Sequence, residues 1–376
     1  MVIFSNPKLR LVGCLLLLIA GQSWASVAAE TGFTALDKPA QISAQSPHKT
    51  ILSVGRAGPR LVAVGEEGII LLSDDNGQHW SQVASPVSAA LTEVQFVDAR
   101  HGWIVGHYGV VLATVDGGET WQKQLDGIQA AELLLADVQA RRGAERELSE
   151  AQRLIEDGPD KPFLNLYFSD ARNGFVFGAY NLIYRTRDGG NSWQPWLNRL
   201  ENPMGLHLYG MAEADGVLMI AGEQGMLLRS TDGGEQFEEL DSPYEGSFFG
   251  VIADFDGAFI VYGLRGHLFR STDGGESWSQ LETREEVALS AASVLEDGRL
   301  LVASQSGSLL INQHGSYSNS VSSSDFASVP DLPALPLAGV VQSADGAAIV
   351  ASLAGVHRFE LPGRIALDSA YGSVKE

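Results

Sequence analysis

Cysteine is almost absent from this 376-residue sequence: Cys14 is the only one. It sits in an N-terminal stretch where Lys8 and Arg10 precede an apolar run from Leu11 to Gly21, followed by Ser23-Trp24-Ala25. A short basic lead, an apolar run and small residues make a signal peptide, so residues 1–25 are predicted to be removed on export. Cleavage after Ala28 or Ala29 reads almost as well. The run falls short of the about 20 residues of a comfortable membrane span. Leu11-Val12-Gly13-Cys14 spells a lipobox, but most of the apolar run follows Cys14, whereas a lipoprotein signal precedes its cysteine. A periplasmic protein is therefore expected. Without cysteine the mature chain can form no disulfide, thiol nucleophile or thiolate metal site.

Positive charge is also scarce. Lys and Arg number 25 against 46 Asp and Glu, a net charge of −21, and the signal segment removes two of the cations. Such a surface repels nucleic acid and anionic headgroups, which excludes a nucleic-acid partner and direct membrane insertion after cleavage. No lysine follows the glycine pairs in P-loop spacing, and no His-x-His or His-x-x-x-His pair occurs. His101 and His107 lie on neighbouring stretches without ligand spacing. No metal and no cofactor are expected.

Glycine is plentiful, at 42 residues, as suits a chain with many tight turns. One string of eight residues recurs. It runs Ser73-Asp74-Asp75-Asn76-Gly77-Gln78-His79-Trp80, then from Thr114 through Asp116 to Trp121, from Thr186 through Asp188 to Trp193, from Ser230 through Asp232 to Phe237, and from Ser271 through Asp273 to Trp278. This is the Asp-box pattern, Ser/Thr-x-Asp-x-Gly-x-x-Trp, with Phe237 once replacing Trp. Trp80 to Trp121 and Phe237 to Trp278 are both 41 residues. A period near 40 with period-2 alternation inside each unit predicts propeller blades of four short strands. In the second unit these are expected over 91–97, 102–106, 109–115 and 120–124.

First strands are predicted near Ile51, Leu91, Phe163, Tyr209, Phe249, Leu289 and Leu337: an all-β, seven-bladed β-propeller over residues 48–363. The last two blades have lost the box, at Asn312-Gln313-His314-Gly315 and at Val356-His357-Arg358-Phe359. The seventh lacks a fourth strand, so part of residues 30–46, in the lead 26–47, is predicted to pair onto its outer edge. A tail, 364–376, follows. The box residues Asp75, Trp80, Asp116, Trp121, Asp188, Trp193, Asp232, Phe237, Asp273 and Trp278 are assigned to structure. The carboxylates suit backbone amides in the turn, and the aromatics suit the space between neighbouring sheets.

Two departures from the repeat are candidates for function. Trp121 to Trp193 is 72 residues, and the surplus over 125–161 is rich in helix formers and ends at Asp157-Gly158-Pro159. A helix, or a hairpin broken near Gly143, is predicted between blades 2 and 3. It forms either a lid on one blade or a docking arm that offers Arg141, Arg142 and Arg146. The second departure is the turn between second and third strands, whose residues differ from blade to blade. Glu66, His107, Tyr108, Tyr180, Glu223, Arg265 and Gln305 stand at these turns. An inside-to-outside strand order puts them on the face of the helical insertion, at the mouth of the channel.

His101-Gly102-Trp103-Ile104-Val105-Gly106, Gly109-Val110-Val111-Leu112-Ala113-Thr114 and Asp116-Gly117-Gly118-Glu119-Thr120-Trp121 resemble the photosystem II assembly/stability factor family. Asn173-Gly174-Phe175-Val176-Phe177-Gly178 with Asp188-Gly189-Gly190 repeats the pattern. The resemblance implies a non-catalytic seven-bladed propeller that assists a membrane protein complex. Similar exported bacterial proteins accompany exporters of the resistance-nodulation-division (RND) type. The helical insertion and the acidic balance depart from the photosynthetic pattern, which carries a basic patch, so an envelope transporter subunit or another membrane complex is the expected partner. The rival reading is a sialidase-like glycoside hydrolase or glycan-binding propeller, since sialidases carry Asp boxes. It needs three convergent arginines. Arg185, Arg229 and Arg270 recur close before the box Asp, which places them on outer strands instead.

Overall fold

The computed structural model describes residues 34–312, 326–330, 332 and 334–363. The predicted signal segment with Cys14, residues 26–33, Gln313-His314-Gly315 and the tail 364–376 lie outside the described residues. Seven antiparallel sheets follow one another along the chain, each with its strands hydrogen-bonded in sequence order. Their first strands are Ile51–Ala57, Leu91–Phe96, Phe163–Phe168, Leu208–Ala214, Phe248–Ala253, Leu289–Val294 and Leu337–Gln342. Each touches the first strand of the next blade, and the seventh touches the first, so the ring is closed. This is the seven-bladed propeller that the period implies.

The second strands carry the core. Gly102–Gly106, Gly174–Gly178, Phe259–Gly263, Leu300–Ser304 and Ala348–Ser352 are buried along their whole length. Both faces of such a strand are covered, which is why these runs are apolar throughout rather than alternating. Apolar clusters fill the seams between blades. Trp121 packs with residues of blades 1 and 2, Trp193 with blades 2 and 3, and Phe237 with blades 3 and 4. The third strand of blade 2 is Val111–Thr114, shorter than the predicted 109–115. Tyr108 at φ 60° and Gly109 at φ 64° bend the chain into a left-handed turn there.

Among the described residues there are three α-helices. Helix α1 is Thr34–Asp37, α2 is Gly127–Ala140 and α3 is Glu145–Asp157. The last two form the insertion between blades 2 and 3. Asp126 caps α2, accepting from the amides of Ile128 and Gln129, both at 3.1 Å. The buried Tyr184 hydroxyl donates to Ala130 O at 2.6 Å, tying α2 to blade 3. Leu134 and Val138 of α2 close on Ala151 of α3.

The described part of the lead, 34–46, does not add the strand predicted for the last blade, and the last sheet has three strands, leaving Gly355–Phe359 without an outer partner strand among the described residues. The reason is apolar: Leu36 is buried in the seam between blades 1 and 2, and the backbone there bonds through Ser88 N–Ala35 O, 2.9 Å, and Ala40 N–Ser85 O, 3.1 Å.

At the closing seam, Ile349 and Ala351 of the last blade pack with Ile51, Leu61 and Leu71 of the first, and a contact found at every boxed seam is added. The fourth residue of each Asp box offers its carbonyl to the preceding blade. Arg60 Nη1 donates to Gly117 O at 3.2 Å, Gln124 Nε2 to Gly189 O at 2.9 Å, Arg185 Nη2 to Gly233 O at 3.0 Å and Arg229 Nη1 to Gly274 O at 3.3 Å. Arg358 of blade 7 donates to Asn76 O of blade 1 at 3.1 Å, so the closing seam is latched like the others. Removing a charged donor from such a carbonyl costs about 1.5–3 kcal/mol. Arg358→Met is therefore expected to lower the urea midpoint and to speed amide exchange in Ile51–Ala57 before other first strands. Uniform loss of protection around the ring would contradict the latch.

Candidate functional site

The Asp boxes join third to fourth strands, at the end of the propeller opposite the helical insertion. Each carboxylate accepts from the Ser or Thr two residues earlier and from an amide four residues later. For Asp75 these bonds come from Ser73 Oγ and His79 N, both at 2.9 Å, and for Asp188 from Thr186 Oγ1 and Ser192 N, both at 2.9 Å. Asp116 bonds Thr114 Oγ1 and Thr120 N, Asp232 bonds Ser230 Oγ and Gln236 N, and Asp273 bonds Ser271 Oγ and Ser277 N. The His79 amide above all holds Asp75 at about 2, and the Ser277 hydroxyl does the same for Asp273. A carboxylate so held is a fixed acceptor and a poor acid–base group at neutral pH. Trp121 Nε1 returns to Gly118 O at 2.9 Å and Trp80 Nε1 to Gly77 O at 3.2 Å.

The turns between second and third strands stand at the other end. In blades 1 to 5 their middle residues, Glu67, Tyr108, Tyr180, Gln224 and Arg265, all take φ between 55° and 60°. Side chains rarely adopt this region, and such residues gather where a surface presents them for use. The third residue is Gly except in blade 3. At Gly109 a Cβ would lie 2.7 Å from Gly127 Cα, so this turn fits tightly against the start of α2. Blade 3 has Asn181 there, at φ 60°, and its side chain accepts from Asn202 Nδ2 at 3.0 Å.

Of the residues expected at the mouth, Glu66, His107, Tyr180, Arg265 and Gln305 are exposed, while Tyr108 and Glu223 are half-buried. Glu223 accepts from His207 N at 3.2 Å. Tyr180 begins an aromatic series: its ring meets His207 edge-on at 4.8 Å, His207 meets Tyr209 at 6.1 Å, and Tyr209 meets Phe249 at 5.6 Å. Lys161 Nζ lies over the Tyr180 ring, 5.7 Å from its centroid.

A groove of about 770 Å³ separates the helical hairpin from the crossover between blades 3 and 4. Among the expected residues it gathers Tyr180, Arg141 and Arg146; the other turn residues and Arg142 do not line it. Arg141 binds Asp137 at 2.8 Å and Glu147 at 2.9 Å, and Arg146 binds Glu150 at 2.7 Å. Those two arginines are thus spent on the hairpin itself. Met204, 68 % exposed, and Arg153 also line the groove, and neither stood out in the sequence. An apolar residue inside Pro203-Met204-Gly205, a turn of its own, is the signal that would have found Met204.

The crossover carrying Met204 is pinned. The buried Asn202 receives Leu206 N at 3.0 Å and donates to Leu206 O at 2.9 Å. At the start of the crossover, Arg185, Arg187 and Arg199 all approach the Trp196 ring, at 5.1, 5.2 and 5.1 Å. Trp196 Nε1 donates to Gly234 O at 2.7 Å.

At the seam between blades 1 and 2 sits one acid that the sequence reading passed over. Glu93, on the first strand of blade 2, accepts from the Ser53 hydroxyl of blade 1 and from Val94 N at 3.0 Å. Burial pushes its carboxyl up to about 7.

Arg185, Arg229 and Arg270 do not converge. The first two hold box carbonyls of the next blade, and Arg270 Nε donates to Asp254 at 3.0 Å. Among the described residues no three His, Cys, Asp or Glu side chains are placed to hold a metal.

Comparison with known proteins agrees with this geometry. A family model described as photosynthesis system II assembly factor YCF48 matches residues 72–145 and 144–310. The photosystem II assembly lipoprotein Ycf48 of Synechococcus sp. (strain CC9902) is 32% identical over 77 residues, 20% of this chain and 23% of that protein. The chain thus matches under a quarter of that relative's length. The solved structure of YCF48 bound to D1 peptide superposes with a TM-score of 0.61 at 16% identity, covering 86% of this chain and 97% of that one. Virginiamycin B lyase from Staphylococcus aureus gives 0.62 at 12%, covering 86% and 99%. At these identities the structural likenesses show the fold alone, and an enzyme shares it as readily as an assembly factor. The sequence match settles the lineage, since it spans more than half of the chain: this protein belongs to the photosynthesis system II assembly factor YCF48 family.

Proposed function

We propose that this chain is a non-catalytic scaffold, exported to the periplasm, that assists the assembly or stability of a membrane protein complex. Its finer assignment is an accessory to an envelope transporter of the RND exporter type. Family membership supports the general reading, because the relative from Synechococcus is named for assembly of a membrane complex. The observation that carries it here is the surface beside the helical hairpin. Tyr180, 60 % exposed, sits in a left-handed turn, and Met204, 68 % exposed, sits on a pinned crossover. Large apolar side chains held in water by a rigid backbone are what a partner surface needs, and burying them on association repays their exposure. The Asp-box carboxylates are occupied in their own turns and are poor acid–base groups.

The test is to purify the tagged mature protein from crosslinked envelope fractions, and to measure membrane-complex levels in a strain lacking it. Recovery of one membrane complex whose abundance falls in the deletion strain is the expected result. Recovery of no membrane protein, with all complex levels unchanged, would sink the scaffold reading and turn attention to glycans at the channel mouth.

A further inference from the structure

The groove beside the hairpin has an uneven charge state. Each acid that lines it is already bonded within the hairpin or to Lys161. Arg141, Arg146 and Lys161 are bonded in the same pairs. Arg153 is the exception among the lining cations: it is exposed and, among the described residues, makes no ion pair or hydrogen bond. The apolar lining is equally uneven, since Leu134, Val138 and Leu182 are covered by the hairpin and blade 3, while Tyr180 and Met204 stand open.

We infer that this groove binds an extended polypeptide segment of the partner, placing a carboxylate on Arg153 and a neighbouring apolar side chain against Met204 and Tyr180. The inference rests on the scaffold reading and names the chemistry of the bound segment. Charge complementarity fixes the occupant. A guanidinium without an internal partner recognises a carboxylate in a forked, directional contact. The surrounding chain, at net charge −21, repels a uniformly acidic partner, so the carboxylate has to be isolated among apolar residues. Methionine suits the apolar half, because its flexible thioether adapts to side chains of different shape. A groove of about 770 Å³ has the size of a ligand cleft, enough for a short stretch of chain and too little for a folded domain.

The experiment is selection of a displayed library of short random peptides against the intact mature protein, with Arg153→Glu, Met204→Asp and Arg142→Glu run in parallel. Arg153 and Met204 are exposed, so their variants should keep the wild-type melting temperature, which is measured first. The wild type is expected to enrich peptides with one Asp, Glu or C-terminal carboxylate beside Leu, Ile or Phe. Arg153→Glu should abolish the acidic preference, Met204→Asp should weaken the selected peptides about tenfold, and Arg142→Glu, outside the groove, should change neither. Absence of enrichment, or enrichment unchanged in the first two variants, would overturn the inference. So would equal loss in all three. If the double variant Arg153→Glu, Met204→Asp still recovers the wild-type membrane complex, the groove is wrong and the scaffold stands. If the wild type recovers none, the scaffold reading itself fails.

Discussion

Raising the pH from 4 to 8 will cost this protein about 1–3 kcal/mol of stability through Glu93, and Glu93→Gln will remove that component. Burial lifts the Glu93 carboxyl from 4.5 to about 7 in the folded chain. The folded state therefore holds a proton that the unfolded state releases. Its contribution is fully present below pH 4.5, falls through the window between 4.5 and 7, and is gone above that. A full shift of this size corresponds to roughly 3 kcal/mol. Glu93 is only half-buried, and solvent contact relaxes part of the penalty, so the figure is an upper bound. The Ser53 hydroxyl and Val94 N are the groups bonded to the carboxyl. Glutamine keeps the acceptor that Ser53 and Val94 use and cannot ionise. The Asp boxes act in the opposite sense. Asp75 and Asp273 are held at about 2, so their contribution is lost only as pH falls from 3.8 through 2, outside the Glu93 window. Urea unfolding of wild type and Glu93→Gln at a series of pH values separates the two. Parallel curves between pH 4 and 8 would show that Glu93 does not carry the slope.

Restoring the consensus tryptophan at Phe237 will destabilise the protein, against the motif's own logic. Phe237 is 1 % exposed and packs edge-on against Phe175 at 6.2 Å. In boxes 1 and 2 the aromatic caps the fifth-residue carbonyl with its indole N–H, as Trp121 does at Gly118. In box 4 that carbonyl, Gly234 O, is already capped by Trp196 from blade 3. A second indole finds neither space nor acceptor, and overpacking of a filled core costs about 1–3 kcal/mol. Phe237→Ala, which leaves a cavity instead, is expected to cost about 3–5 kcal/mol. The double variant Phe237→Trp, Trp196→Leu should recover part of the loss of Phe237→Trp, because the new indole can then reach Gly234. Thermal or urea unfolding of the three variants checks this. A neutral or stabilising Phe237→Trp would mean that the two tryptophans do not compete.

The position of Phe237 also marks where reading the sequence stops. Its place in a repeat was legible and its tolerance of phenylalanine was not, because Trp196 replaces the indole from another blade. Arg185 and Arg229 were visible as recurrent residues, but the box carbonyls they hold lie in the next blade. The expected mouth residues were found at the turns. Arg141 and Arg146 proved to be committed to hairpin carboxylates, and the groove brought forward Arg153 and Met204 instead.

By itself the sequence determined the boxes, the blade period, the count of seven first strands and the helical break between blades 2 and 3. All of these are set by contacts within a turn or between adjacent strands: an Asp reaches amides four residues on, and alternation selects a pleated strand. The tertiary structure alone decided how the ring shuts, where the lead lies, what surrounds Glu93 and which side chains the groove leaves open. Arg358 and Asn76 are 282 positions apart, and their bond exists only after seven blades have curved far enough to meet. A local pattern can specify each blade, but no local pattern records which surfaces are left uncovered when the last blade reaches the first.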